Sequence, residues 1–311
     1  SGVSFEELFK RLNLPPDFEW RASAPDAEVL YIHRRVGEAE VYFISNQQYR
    51  QAEGAAIFRV AGKSPEWWDP ASGAIRPLPE YHEEAGRTTV PLRLDPAGSG
   101  FVVFRGKRET ARGKNWLEFK DLQPIAGPWQ VSFPPNLGAP ASAKLDKLIS
   151  LSEHAEPGIR FFSGTATYAC QFEIADLKSQ MFLDLGDVQV IAEVKLNGRD
   201  LGILWKPPFC VDVTDALRRG PNNLEVRVTT LWPNRMIGDA ALPDDVPWNR
   251  ERRRGAYPAS WPDWLVNGTP RPSGRVTFCT RKDVYAKDDP LLPSGLIGPV
   301  TLRTVTSMEE Q

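Results

Sequence analysis

The sequence is poor in cysteine, histidine and long apolar runs. It contains three cysteines, Cys170, Cys210 and Cys279, and three histidines. An odd number of widely spaced cysteines does not fit a disulfide framework, and neither residue type shows the spacing of zinc ligands. No apolar run approaches the roughly 18 residues that a membrane-spanning helix needs. The composition therefore argues against a disulfide-stabilised domain, a zinc centre and a membrane span.

The sequence also lacks a strong net charge. The formal charge is −2 over 311 residues, so nothing global indicates nucleic acid or a membrane surface as a partner. The length suggests about two domains. The 28 prolines and the scarcity of long periodic runs are typical of an all-β protein with many turns. The ten tryptophans are mainly core candidates, but an indole face also suits the C–H face of a sugar.

The segment 161–239 carries the clearest fold signal. It consists of short strand-like runs that are separated by turn residues. Asn197-Gly198 lies between two such runs and predicts a two-residue hairpin, because both positions tolerate positive φ. Apolar and charged residues alternate over 224–228, which predicts a strand with one buried face. We expect a twisted antiparallel sandwich here, not a nucleotide-binding α/β unit.

The remaining turn signals divide the chain into four parts. Ser4 and Glu7 form a capping-box pattern at the start of a short helix, and Pro15-Pro16 ends it. Six or more short strand-like runs follow, and then a charged stretch without strand signal. The predicted parts are 1–19 (helix and lead-in), 20–105 (a small β-sandwich), 106–127 (a linker) and 128–311 (a second sandwich).

The second sandwich contains a long irregular segment, 240–275, which is dense in proline, arginine and tryptophan. A loop of this length in a compact domain is usually functional or packed against something else. The segment VTFCTRKDVY at 276–285 predicts that strands resume after it.

The best candidate for a binding site is the short segment that follows the strand ending near residue 230. Trp232 offers an aromatic platform, and Asn234, Arg235 and Asp239 offer fixed donors and acceptors, which is the mixture that a sugar site requires. Trp205 is a second candidate platform. The alternative is structural: an Arg235–Asp239 ion pair that closes the loop against a neighbouring domain.

A catalytic site is not indicated. Hydrolysis of a sugar linkage needs two carboxyl groups across one sugar, about 5–5.5 Å apart for retention or about 6.5–9.5 Å apart for inversion. The nearest candidates by density are Asp184, Asp187 and Glu193, and we interpret them as solvent-face carboxylates or turn caps.

No cofactor is indicated either. Oxygen ligands for Ca²⁺ could come from loop aspartates, but their spacing is not diagnostic. We therefore predict no metal; the aspartates considered are Asp187, Asp239, Asp244 and Asp245.

Five longer motifs follow one another along the chain: HRRVGEAEVYFISN (33–46), FFSGTATY (161–168), LDLGDVQVIAEVKLNG (183–198), TLWPNRMIGD (230–239) and LLPSGLIGPV (291–300). In this order they resemble the C-terminal β-sandwich region of bacterial α-L-rhamnosidases. The second sandwich is also similar to the sugar-binding jelly roll of family-2 glycoside hydrolases.

The resemblance implies an all-β chain of two antiparallel sandwiches, the second a galactose-binding-like jelly roll, with a short N-terminal helix. It implies a catalytic (β/α)8 barrel that precedes residue 1 and is absent from this chain, so no catalytic residue is carried over. The partners implied are that barrel and rhamnose-containing glycans, without nucleic acid or membrane, in a periplasmic or secreted parent. We expect an accessory region that supports the barrel; the alternatives are a purely structural module and a stand-alone glycosidase.

Overall fold

The computed structural model describes residues 4–12, 14–107, 113–249, 257–281 and 284–306. The chain divides into two compact units, Ser1–Glu118 and Phe119–Gln311. This division falls inside the segment 106–127 that the sequence marks as a linker. Among the helices in the described ranges, none is long and apolar enough to cross a membrane.

The described residues of the first unit form one short helix and nine strands. The predicted capping interaction is confirmed, because the Glu7 amide donates to Ser4 Oγ at 3.2 Å. The elements are α1 (Phe5–Arg11), β1 (Phe18–Ala22), β2 (Val29–Val36), β3 (Ala39–Asn46), β4 (Ala52–Phe58), β5 (Lys63–Trp68), β6 (Ile75–Pro77), β7 (His82–Glu84), β8 (Arg87–Leu94) and β9 (Ser99–Lys107).

Two antiparallel sheets of this unit share one core. Their strand orders are β1-β4-β8-β7 and β2-β3-β9-β5-β6. Aromatic side chains from both sheets meet between them: the Phe58 ring lies 4.8 Å from Tyr42 and 5.1 Å from Phe104. Trp67 lies so close to Gly100 that a Cβ there would come within 2.1 Å of the indole. The unit is thus a small, tightly filled β-sandwich.

The described residues of the second unit form the remaining strands and three short α-helices. They are β10 (Phe119–Pro124), β11 (Trp129–Ser132), β12 (Ser142–Leu145), α2 (Pro157–Arg160), β13 (Thr165–Ile174), β14 (Met181–Asp184), β15 (Asp187–Gln189), β16 (Ile191–Leu196), β17 (Arg199–Leu204), β18 (Cys210–Asp212), β19 (Gly220–Thr229), α3 (Pro233–Ala240), β20 (Trp248–Asn249), β21 (Tyr257–Pro258), α4 (Asp263–Val266), β22 (Gly295–Gly298) and β23 (Thr301–Val305). A 3-10 turn spans Leu151–Glu153.

A six-stranded and a four-stranded antiparallel sheet enclose the core of this unit. Their orders are β12-β11-β13-β19-β16-β17 and β10-β23-β14-β18. Buried side chains from both sheets, such as Tyr168 and Val226 from one and Leu302 from the other, belong to one cluster. The predicted fold class, all-β with two sandwiches, a jelly-roll-like second one and a short N-terminal helix, is confirmed.

The predicted hairpin and strand alternation are both present. Asn197 and Gly198 have φ of 54° and 81° and join β16 to β17 with Leu196 opposite Arg199. Along β19, burial alternates as the sequence predicts, with Val226 fully buried. The turn chemistry and the period of two therefore fix this part of the sheet.

Two sequence-based expectations about the same region were wrong. No strand forms in the described parts of 276–285, although the run is rich in β-formers. The amides of Val276 and Thr277 instead donate to the Asp239 carboxylate, which removes them from any strand ladder. The segment after β19 is also not a loop, because it forms helix α3.

Candidate functional site

Helix α3 stands at one end of the six-stranded sheet. Pro233 occupies its first turn, where the fixed φ suits a helix and the missing N–H costs nothing. The predicted site residues Asn234, Arg235 and Asp239 all lie on this helix and are at most 7% exposed. They therefore belong to the interior of the unit.

Arg235 and Asp239 form a buried ion pair one helical turn apart. Arg235 Nε lies 3.0 Å from Asp239 Oδ1, and the two side chains are 8% and 4% exposed. Asp239 Oδ2 accepts hydrogen bonds from Val276 N at 3.0 Å, Thr277 N at 2.6 Å and Thr277 Oγ1 at 2.7 Å. The carboxylate thus neutralises a buried guanidinium with one oxygen and fastens the 276–277 segment to the helix with the other.

Two glycines make room for this guanidinium. A Cβ at Gly138 would lie 2.8 Å from Arg235 Nη1, and one at Gly238 would lie 2.7 Å from Arg235 Nη2. The Arg235 amide also donates to Ser163 Oγ at 3.2 Å. The space around Arg235 thus depends on two residues without side chains. We interpret the Arg235–Asp239 pair as a structural clamp, meaning that it holds the 276–277 segment against helix α3.

Asn234 has a similar structural role. Its side-chain amide donates to the Leu292 carbonyl at 2.8 Å and accepts from the Leu292 amide at 2.9 Å. The side chain thereby pairs with the backbone as a strand neighbour would. It holds the chain just before the SGLIGPV motif against helix α3.

The two tryptophans of the predicted set are exposed. Trp232 is 47% exposed and Trp205 is 56% exposed. Leu204, the last residue of β17, pairs with Ala192 in β16, and Ala192 pairs in turn with Val228 near the end of β19. Strands β17 and β19 therefore finish at the same end of the sheet, and Trp205 and helix α3 follow them there. Two strand spacings amount to roughly 10 Å. The structure therefore brings all five predicted residues to one end of the sheet, three of them buried and two exposed.

A cavity of about 100 Å³ lies beside helix α3. Asp239 contributes to its floor, and the segment after the helix supplies most of the remaining walls. Sequence reasoning missed these residues, although the density of arginine and aromatic residues in 241–285 was a signal. The side chains that define the chemistry of the cavity are Arg271, Arg275, Arg281, Trp248, Phe278 and Tyr285.

Arg271 is held by Asp245. Its Nε and Nη2 donate to the two Asp245 carboxylate oxygens at 2.6 and 2.8 Å, and its guanidinium lies 4.5 Å from the Trp264 ring centre. Ser273 Oγ adds a hydrogen bond to the same carboxylate at 2.5 Å. The Arg271 guanidinium holds the pKa of Asp245 below its usual range, and this effect outweighs the desolvation of the carboxylate.

Arg275 has a different set of partners. Its Nε donates to the Pro243 carbonyl at 2.9 Å and its Nη2 to the Leu242 carbonyl at 2.7 Å. Carbonyl partners fix the plane of the guanidinium but leave its full charge in place. Arg281 is exposed at the cavity wall. No carboxylate within the described ranges forms an ion pair with either arginine.

Comparison with known proteins gives the family context of this geometry. Residues 1–83 match the family model described as alpha-L-rhamnosidase, glycoside hydrolase 106. Residues 150–274 match the model described as glycosyl hydrolase 2 galactose-binding domain-like. The resemblance to α-L-rhamnosidases is confirmed.

Individual proteins show the same relationship. The solved structure of a rhamnosidase from Novosphingobium sp. PP1Y is 34% identical, with a TM-score of 0.80 over 96% of this chain and 26% of that chain. A putative beta-glucuronidase from Formosa agariphila is 49% identical over 189 residues, which is 59% of this chain and 16% of that protein. This rhamnosidase-like chain thus spans only a small part of the length of these relatives.

The carboxylates that the sequence offered for catalysis are engaged in the rhamnosidase-like fold. Asp184 accepts from Arg303 Nη1 at 2.9 Å, and Glu193 forms an ion pair with Arg227. Asp187 accepts at 2.7 Å from the glutamine side chain two residues further on. Asp184 and Glu193 are thus neutralised by a guanidinium, and Asp187 is held by an amide.

The described part of the chain contains no cluster of potential metal ligands. No three His, Cys, Asp or Glu side chains there are grouped as ligands. Of the aspartates considered for Ca²⁺, Asp239 and Asp245 are engaged as described above, and Asp244 accepts from Trp248 Nε1 at 2.9 Å. All three cysteines are free thiols, and burial raises the pKa of Cys210 to about 12.

Proposed function

We propose that this chain is a non-catalytic accessory region of an α-L-rhamnosidase-like glycoside hydrolase, and that it supports a catalytic barrel supplied by the same polypeptide. The proposal rests on the share of each chain that takes part in the structural match with a rhamnosidase. Nearly the whole chain, 96%, superposes on a rhamnosidase, yet it accounts for 26% of that enzyme. Most of that enzyme therefore lies outside the part that matches this chain, and the proposal assigns catalysis to that larger part. Its parent is proposed to be periplasmic or secreted.

The carboxylate environment supports the non-catalytic role. A glycosidase keeps one carboxyl group protonated or ready to accept a proton, and the second free to face the sugar or a water. Here Asp184 is neutralised by Arg303 at 2.9 Å, and Glu193 by Arg227. Both carboxylates are therefore already engaged by an arginine.

Hydrolysis of 4-nitrophenyl α-L-rhamnoside by the purified 311-residue chain tests this role. The expected rate equals that of buffer, because the carboxylates considered for catalysis are engaged by other side chains. Asp184→Asn and Glu193→Gln variants serve as matched controls for a contaminating enzyme. Turnover that persists through successive purification steps and disappears in either variant would overturn the non-catalytic role.

The gene sequence tests the second part of the proposal, namely that the same polypeptide supplies a catalytic barrel. In-frame coding sequence upstream of Ser1 is expected to encode a barrel of several hundred residues. The full-length polypeptide should hydrolyse the rhamnoside, and deletion of the 1–311 region should lower its thermal stability. An initiation codon directly before Ser1 would reject the same-polypeptide barrel, whatever the outcome of the hydrolysis assay.

A further inference from the structure

The cavity beside helix α3 carries an excess of positive charge. Of the carboxylates near it, Asp239 faces Arg235 at 3.0 Å, Asp245 holds Arg271 at 2.6 Å, and Asp244 accepts from the Trp248 indole at 2.9 Å. Arg275 and Arg281 also line the cavity. Neither forms an ion pair among the residues that the structure describes, although the charge of Arg275 contributes to lowering the pKa of Asp245. A concave site with two unmatched guanidinium groups favours an anion.

Arg275 is positioned before any ligand arrives. The Leu242 and Pro243 carbonyls hold its Nη2 and Nε at 2.7 and 2.9 Å, so the orientation of the fork is set by the backbone. Its Nη1 makes no hydrogen bond within the described residues. A preoriented donor loses little side-chain entropy on binding, which is the usual property of a recognition arginine.

Aromatic side chains form the other part of the wall. Trp248, Phe278 and Tyr285 line the cavity and are half-buried. The Trp248 Nε1–H donates to Asp244 at 2.9 Å, which restrains the indole. Phe278 is packed between Trp261 and Trp264, with ring centres 5.8 and 5.9 Å apart. Restrained aromatic faces beside fixed polar groups are the combination that binds a sugar ring.

The volume limits what can enter. The cavity of about 100 Å³ is several times the roughly 10–15 Å³ that one water requires, so a small oxyanion fits inside. The sugar ring that carries it would rest against the aromatic rim. We propose that this cavity binds the carboxylate or sulfate of an acidic sugar residue, with Arg275 and Arg281 as the anion-binding residues. The inference rests on the proposed accessory role and adds the class of glycan to it.

Calorimetric titration of the full chain with paired ligands tests this site. Methyl β-D-glucuronide and methyl β-D-glucoside share a ring and differ only at C6, and glucose 6-sulfate separates sulfate from carboxylate. At least one acidic ligand is expected to bind about tenfold or more tighter than the neutral glycoside, as befits a charge-assisted hydrogen bond. Raising NaCl from about 0.05 M to about 0.5 M should weaken that binding.

Variants assign the effect to the cavity. Arg281→Gln changes an exposed side chain, so the fold is retained, and the preference for the acidic ligand should fall about tenfold. Arg275→Lys retains the charge but loses the fork, and is expected to weaken binding less than Arg281→Gln weakens it. The matched control is Arg219→Gln, an exposed arginine at the opposite end of β19, which pairs with Asp176 at 3.5 Å. It should leave the preference unchanged.

Several results would overturn the assignment. Equal affinity for the acidic and neutral glycosides, or no heat with either acidic ligand, rejects an oxyanion site. An acidic preference that survives both Arg281→Gln and Arg275→Lys places the binding elsewhere. These results leave the accessory role standing, because that role is judged by the rhamnoside assay and the upstream gene. Hydrolysis by the isolated chain would instead reject the accessory role and leave this site intact.

Discussion

The buried Arg235–Asp239 pair allows the sharpest test of how this fold is held together. Asp239→Asn removes the charge that neutralises Arg235 and leaves one oxygen for the donors of Val276 and Thr277. Removing one partner of a buried ion pair typically costs about 3–5 kcal/mol, because the other charge remains buried and unmatched. The near-complete burial of both side chains places this pair in that class, since solvent cannot screen the remaining guanidinium.

Thermal unfolding gives the global measure of that loss. A change of 1 kcal/mol shifts the Tm of a 150–250-residue unit by about 2–4 °C, so Asp239→Asn should lower the transition of the second unit by roughly 6–20 °C. The matched control is Asp176→Asn, whose pair with Arg219 spans 3.5 Å and is about three-quarters exposed. Exposed pairs contribute little, so this change should stay within about 0.5 kcal/mol.

Hydrogen exchange gives the local measure. The amides of Val276 and Thr277 donate to Asp239 Oδ2 at 3.0 and 2.6 Å, so a peptide covering 274–278 reports on the clamp directly. A loss of about 3 kcal/mol corresponds to roughly 100-fold faster exchange there. A Tm change below about 2 °C, together with unchanged exchange at 274–278, would refute the view that this pair fastens the segment to helix α3.

Two further predictions concern acid stability and the hairpin. Because Arg271 lowers the pKa of Asp245, this carboxylate stabilises the fold above its unfolded-state pKa of about 3.9, and the contribution is lost as pH falls through the lower folded pKa. An Asp245→Asn variant should show a weaker fall in Tm with acidification than the parent; parallel Tm curves would contradict this. Gly198→Ala should destabilise the second unit by about 1–2 kcal/mol in urea unfolding, since φ is +81° and no atom lies within 4 Å. Gly106→Ala, equally open but without positive φ, should change the stability of the first unit by less, and equal losses would contradict the conformational origin.

Local signals in the sequence predicted much of the fold. The Asn197-Gly198 hairpin, the Ser4 cap and the alternation along β19 depend on residues a few positions apart, so the sequence displays them directly. Helix α3 was missed even though Pro233 at its first turn is a recognised start signal. Polar residues dominated that segment, and its helical face becomes evident only once Arg235 and Asp239 are known to be buried.

The strand expected at 276–285 failed for a nonlocal reason. The intrinsic preference of such residues is for strands, but preference competes with whatever partner the backbone finds. Here the partner is the Asp239 side chain, which lies 37 and 38 positions earlier in the chain. A carboxylate that takes two successive amides removes the donors of a strand at its first residues. Neither periodicity nor composition reveals a partner at that distance.

Partners inside the fold also explain why some of the predicted site residues are buried and others are exposed. Arg235 and Asp239 were selected from the sequence because guanidinium and carboxylate groups suit a sugar, but they form an ion pair with each other inside the unit. Their side chains are 8% and 4% exposed, so little of either is accessible to a ligand. The charge available for binding lies instead on Arg275 and Arg281, in the segment that Asp239 fastens in place. The Arg235–Asp239 pair therefore contributes to binding indirectly, because it positions the segment that carries Arg275 and Arg281. If Asp239→Asn breaks this clamp, the preference of the cavity for an acidic sugar should be lost together with the exchange protection at 274–278.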